Sequence, residues 1–72
     1  MKIEYDHEAD ALYIRFLNVK PSDNMDIEEG FTVDLDQNRH VVGIEILDAS
    51  RRFPKEALST VTIENLLPQP LR

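Results

Sequence analysis

Apolar and polar residues alternate along much of this 72-residue chain, and a period of two marks strands that are half buried in a sheet. The clearest stretch is residues 30–49, GFTVDLDQNRHVVGIEILDA. Phe31, Val33 and Leu35 alternate with Thr32 and Asp34, and after a polar break Val42, Ile44 and Ile46 alternate with Gly43 and Glu45. This reads as one antiparallel hairpin. Pairing Leu35 with Val42 across a loop of residues 36–41 brings Val33 to Ile44 and Phe31 to Ile46, which puts three apolar pairs on one face. The same register sets Asp34 opposite Gly43 and Thr32 opposite Glu45 on the other face.

The pattern predicts further strands before it. In residues 2–5, Ile3 and Tyr5 share a face, and after a polar turn over residues 6–10 the alternation resumes in 11–17 with Leu12, Ile14 and Phe16 inward and Tyr13 and Arg15 outward. The second of these strands should fold back on the first. Residues 18–24, which contain Pro21, read as a long connecting loop. Met25 and Ile27 form a brief third strand. A three-residue turn would pair Ile27 with Phe31 and Met25 with Val33 and would place Gly30 at the position that needs positive φ. On this reading Gly30→Val destabilises the chain by about 1 kcal/mol or more through backbone strain.

Beyond the hairpin, Phe53-Pro54 opens a helix of one or two turns over Lys55 to Leu58, since proline fits the first helical position. Thr60 to Ile63 then turns to β-branched residues and suggests a final edge strand. A single helix from Pro54 to Leu67 is the competing reading, and Pro68 and Pro70 would end either element. The fold class expected is mostly β, α+β: an antiparallel meander of four to five strands with a short C-terminal helix and a last edge strand, in a single domain spanning 1–72. One face would carry Ile3, Tyr5, Leu12, Ile14, Phe16, Met25, Ile27, Phe31, Val33, Leu35, Val42, Ile44 and Ile46. A helix of one or two turns cannot cover so wide a face, and a second layer is required. Two sheets packed in a symmetric dimer would supply it, with help from Leu58, Val61, Ile63, Leu66 and Leu67.

Composition narrows the partners. The chain is 42% hydrophobic and 31% charged with no cysteine, an ordinary globular mixture that has neither disulfides nor thiolate metal sites to support a thin core. Residues 1–3 run directly into Glu4 and Asp6 and no stretch approaches a membrane span, so a cytoplasmic protein is expected. The net charge of −6 is unevenly spread: residues 1–50 hold four basic residues against twelve acids, and 51–72 hold four against two. An acidic body repels phosphate, which argues against direct nucleic-acid binding and for a basic protein as partner.

MKIEYDHEADALYIRF, EEGFTVDLD and VVGIEILDASRR, taken together over residues 1–50, resemble a family of short prokaryotic proteins catalogued as domain of unknown function 2283. In the resemblance, Arg39 stands where the family usually has a glycine in the main hairpin loop, with Asn38 the alternative for a left-handed conformation, and His7 stands where proline is common. The resemblance implies a small β-rich domain and supplies no catalytic residues. It also implies, by the company such genes keep with small ribonuclease-type toxins, an antitoxin role.

The candidate chemistry is sparse. His7 among Asp6, Glu8 and Asp10, and His40 after Asp36, would ligate a divalent metal if the two loops met, although the plainer reading is solvated turn residues. Asp34, Asp36 and Glu45 on a wet face have no burial to raise a pKa for acid–base work. Tyr13, Val41 and Leu47 are apolar on the nominally wet face beside Arg15, and Arg51-Arg52 is the basic cluster. Tyr13, Arg15, Val41, Leu47, Arg51 and Arg52 are therefore the candidate partner contacts. Gly43 opposite Asp34 leaves a gap that another backbone could enter, and Arg15 is placed to pair with Glu45 or Asp34. No catalytic residue, metal ligand or cofactor is assigned. The function expected is a homodimeric protein-binding domain, an antitoxin-like neutraliser of a basic ribonuclease-type partner. The alternatives are a small metal-dependent enzyme built on the histidine loops and a structural homodimer without a ligand.

Overall fold

A computed structural model describes residues 1–64. The alternating stretches form five antiparallel strands: β1 (Lys2–Asp6), β2 (Ala11–Arg15), β3 (Asp23–Glu28), β4 (Phe31–Leu35) and β5 (Val41–Leu47). Two short helices follow, α1 (Ala49–Arg52) and α2 (Lys55–Ser59). The mostly β, α+β class is as the patterning predicts. The strand order is β1-β2-β5-β4-β3, so β5 lies at the centre and binds β2 as well as β4, and the sheet is not a sequential meander throughout. The β2–β3 connection must therefore pass two strands. It is tied down on the way: the Phe16 and Leu17 amides donate to the Val42 carbonyl at 2.9 and 3.3 Å, and the Ser22 amide donates to the Leu35 carbonyl at 2.9 Å.

Register lines up the side chains across the whole sheet. Ile3, Ile14, Ile44, Val33 and Met25 stand in one row, each opposite the next. On the other face the equivalent row is Glu4, Tyr13, Glu45, Thr32 and Asp26. In the β4–β5 hairpin, Phe31–Ile46, Thr32–Glu45, Val33–Ile44 and Asp34–Gly43 pair as the alternation predicts. Leu35 differs, because its partner is Val41 and the pairing shifts between Asp34 and Leu35. The extra residue, Val42, keeps its parity with Ile44, so the bulge leaves Val41 outside while Val42 and Leu35 are buried to 1% and 3% exposure.

The β3–β4 turn shows a similar adjustment. Gly30 has φ +85°, as expected, and Met25 opposes Val33. Ile27, however, does not face Phe31; Glu28 does, and the register shifts between Asp26 and Glu28. Ile27, the extra residue at this shift, is 61% exposed.

The C-terminal reading needs two corrections. The helical region is two short segments with Phe53 and Pro54 in extended backbone between them, and neither a strand over 60–63 nor a helix continuing from Pro54 is present among the described residues. β-branched residues favour a strand only when a neighbour supplies the ladder. Here Thr60 leaves α2 extended and crosses the apolar face of β1 and β2, so residues 57–61 and the side chains of Ile3, Tyr5, Leu12 and Ile14 form the two sides of a cleft of about 250 Å³. Leu66, Leu67, Pro68 and Pro70 lie outside the described residues. Burial is accordingly uneven: Val33, Leu35, Val42, Ile46 and Ala49 form the core, while Ile3, Phe16, Met25 and Ile27 of the expected apolar face remain exposed.

Candidate functional site

The outer face is built around Gly43. Tyr13 on β2 lies over this residue, and its hydroxyl donates to Asp34 Oδ2 on β4 at 2.7 Å. A Cβ at Gly43 would collide with that hydroxyl and would stand 3.1 Å from the Ile14 carbonyl oxygen. The gap expected opposite Asp34 is thus filled by the chain's own phenol. Burial, with the Asp34 hydrogen bond and charge after it, pushes the Tyr13 hydroxyl above the usual phenol range. Arg15 stacks its guanidinium 5.8 Å from the Tyr13 ring centre and makes no ion pair with Glu45 or Asp34 among the described residues. Val41 and Leu47 are exposed at opposite ends of β5. Tyr13, Arg15, Val41 and Leu47 therefore share one face with the carboxylates of Glu4, Asp26, Asp34 and Glu45, but they do not form a single apolar patch.

The two arginines part company. Arg52 reaches back over the β3–β4 turn: its Nε donates to the Leu47 carbonyl at 3.0 Å, a terminal nitrogen donates to the Glu29 carbonyl at 2.5 Å, and its guanidinium carbon sits 4.6 Å above the Phe31 ring. Glu28 lies 3.6 Å away. The guanidinium also fills the space a Cβ at Gly30 would need. Arg52 is thus a strap between α1 and the sheet, while Arg51 remains exposed, with its charge felt at Asp10.

Asp10 organises the β1–β2 side of the same end of the sheet. The Asp6 carboxylate accepts from the Glu8 and Ala9 amides at 3.0 and 3.2 Å, which shapes the β1–β2 turn, and Asp10 completes it in the left-handed region at φ 52°. Its carboxylate accepts from the Tyr5 hydroxyl at 2.6 Å and from both the Ser50 hydroxyl and amide, at 2.7 and 3.0 Å. Its carbonyl accepts from the Ala49 amide at 3.0 Å. Hydrogen bonds from Tyr5 and Ser50, helped by Arg51, hold the Asp10 carboxyl below the usual carboxylate range, and the Tyr5 hydroxyl is raised chiefly by the same bond. Against this floor opens a second cleft of about 420 Å³, lined by Tyr5, His7, Ser50, Lys55, Leu58 and Ser59. Sequence reasoning set Asp10 beside His7 as a possible metal ligand and Tyr5 on the apolar face and did not join them to Ser50, because no local spacing connects Asp10 to a residue forty positions on.

The two histidine loops do not meet. Ala11 pairs with Leu47 and Arg15 with Gly43, so the 6–10 turn and the 36–40 loop lie at opposite ends of the sheet, which removes the metal site imagined between them. No cluster of three or more potential ligands occurs among the described residues. No helix among them is long and apolar enough to cross a membrane.

Residues 2–50 match the family model described as protein of unknown function, DUF2283. An uncharacterised protein of Methanocaldococcus jannaschii is 42% identical over 53 residues, 74% of this chain and 45% of its own length. A Methanosarcina mazei protein carrying the provisional name hypoxanthine phosphoribosyltransferase is 36% identical over 52 residues, 72% of this chain and 42% of its own. The chain thus spans less than half the length of these relatives. No solved structure matches it.

Proposed function

The chain belongs to the DUF2283 family, which brings no activity with it, and we propose from the geometry that it is a protein-binding domain: two copies close their apolar faces together and turn their acidic outer faces to a basic partner. The observation that carries this is the graded burial of the row from Ile3 to Met25. Val33 is buried and Ile14 and Ile44 are half-buried, whereas Ile3 is exposed at one end and Met25 at the other, the latter to 50% and beside Ile27. The helices cover the β1–β2 side only in part, and apolar surface left at both margins of a single sheet is what a second layer would remove from water. The outward rows place Glu4, Asp26, Asp34 and Glu45 against Lys2 and Arg15, a field that speeds association with a cationic protein. An RNA-handling toxin has that character, which makes antitoxin-like neutralisation the specific form of the proposal. A binding role is further supported by the use made of the titratable groups, since Tyr13–Asp34 and Tyr5–Asp10 bridge separate strands or turns as structural ties.

Light scattering tests the first part: a mass of twice 8.3 kDa is expected, reduced to one chain by Met25→Glu, and a monomeric wild-type protein overturns it. Affinity capture from the native host at low salt should retain a basic protein that 0.5 M salt, on the order of a 4 Å screening length, releases. A capture without any basic protein, or one indifferent to salt, refutes the neutraliser.

A further inference from the structure

The cleft beside Asp10 has a composition at odds with the rest of this acidic molecule. None of its lining residues is a carboxylate: Tyr5 and Leu58 supply apolar wall, Ser50 and Ser59 hydroxyls, and His7 and Lys55 the nitrogen donors. The hydroxyls are committed, Ser50 to Asp10 and Ser59 to the Glu56 carbonyl at 3.1 Å. His7 and Lys55 are not: neither has a hydrogen bond or ion pair among the described residues. Asp10, whose partners Tyr5 and Ser50 line the cleft, accepts three hydrogen bonds and is offset by Arg51. What the cleft offers a visitor is therefore an apolar wall ending at an ammonium and an imidazole.

Half of its lining is also fixed in advance. Tyr5 comes from β1, His7 from the turn, Ser50 from α1 and Lys55, Leu58 and Ser59 from α2, and the bonds of Asp10 lock the first three of these elements together. A volume of about 420 Å³ falls in the range of small-molecule sites, about 300–1,000 Å³, and the side already tied together needs no ordering on binding. We infer that this cleft binds a small amphipathic anion, an organic acid with an apolar body along Tyr5 and Leu58 and its carboxylate or phosphate at Lys55 and His7. The site includes α2, which lies beyond the residues matched by the family model.

Titration of the ¹⁵N-labelled protein with sodium octanoate, followed by NMR, tests it. Saturable shifts at the His7, Ser50 and Lys55 amides are expected. The neutral twin octanamide should bind about tenfold more weakly, the effect of losing one charge-assisted hydrogen bond. Lys55→Gln, an exposed substitution whose unchanged spectrum elsewhere reports an intact fold, should weaken octanoate by about the same factor. Inorganic phosphate alone should shift these amides without saturating. Absence of saturable octanoate binding, equal binding of octanamide, or phosphate binding as tight as octanoate would each overturn the assignment. Failure of the titration is distinguishable from failure of the dimer, since light scattering reads the one and the titration the other.

Discussion

Where β1 turns into β2, the carboxylate of Asp10 reaches forty residues along the chain to Ser50; where β4 turns into β5, Asp36 reaches no further than its own loop. Both turns contain a left-handed non-glycine residue, Asp10 in the first and Arg39 in the second. Asp36 accepts from the Asn38 and His40 amides at 2.8 and 2.9 Å and closes the loop locally, while the burial at that end comes from Leu35 and Val42 under the bulge. The Asp10 end has Ala49 and Ile46 buried close by and is joined to α1 by polar bonds. One end of the sheet is held by packing and the other by packing together with a hub of hydrogen bonds, and the two should respond to different perturbations.

The largest effect is expected at the packed end. Leu35→Ala should destabilise by about 2–5 kcal/mol through lost burial and the cavity left behind, read as a lower urea midpoint with an unchanged slope. A loss under about 1 kcal/mol would mean that this end is not the core. Gly43→Ala comes next, at about 1–3 kcal/mol, because the added methyl must displace Tyr13 from Asp34. In a Tyr13→Ala background the same change should be much milder, and equal losses in both backgrounds would deny the collision.

The polar end should instead be sensitive to acid. Asp10 has a folded-state pKa below its unfolded value, so its contribution is complete above the unfolded value, near pH 4, and disappears as pH falls through the folded value. The melting temperature of the wild type should therefore fall more steeply below about pH 4 than that of Asp10→Asn, which cannot titrate there. Parallel curves would remove Asp10 from its role. The smallest effect has the opposite sign. Arg39→Gly relieves a left-handed residue by about 1 kcal/mol and loses an exposed ion pair with Asp23 of about 0.2–1 kcal/mol, for a net change between zero and a slight gain. Asn38→Gly should bring no gain, since it is Arg39 and not Asn38 that takes the positive φ.

The same contrast explains what could be read from the residues. The Asp36 end was legible because alternation fixes parity, and four of the β4–β5 pairs follow from it; the bulge at Leu35 was not, because parity is silent about where an extra residue is accommodated. The resemblance pointed to Arg39 as the anomalous loop position, and the strained residue is there. At the Asp10 end the turn was visible as a cluster of polar residues, but Asp10's choice of Ser50 over water depends on α1 arriving beside it. For the candidate site, Tyr13 and Gly43 were each singled out, yet their contact runs diagonally across strands brought together by the β2–β5 pairing, which no local spacing announces. Thr60–Ile63 shows the converse: a β-prone segment without an edge to join remains outside the sheet.

The place of β5 between β2 and β4 has a consequence for synthesis. Residues 2–15 emerge from the ribosome as a two-stranded ribbon, and such ribbons are at best marginal in water; their inner neighbour, Val41–Leu47, is translated only after both later strands. Throughout that delay the backbone groups of β2 that will bind β5 are open to any other extended chain nearby. Nascent chains arrested with Lys2–Leu35 outside the ribosome and Val41–Leu47 still inside should accordingly be the ones that attract chaperones, and those with Leu47 also outside should release them.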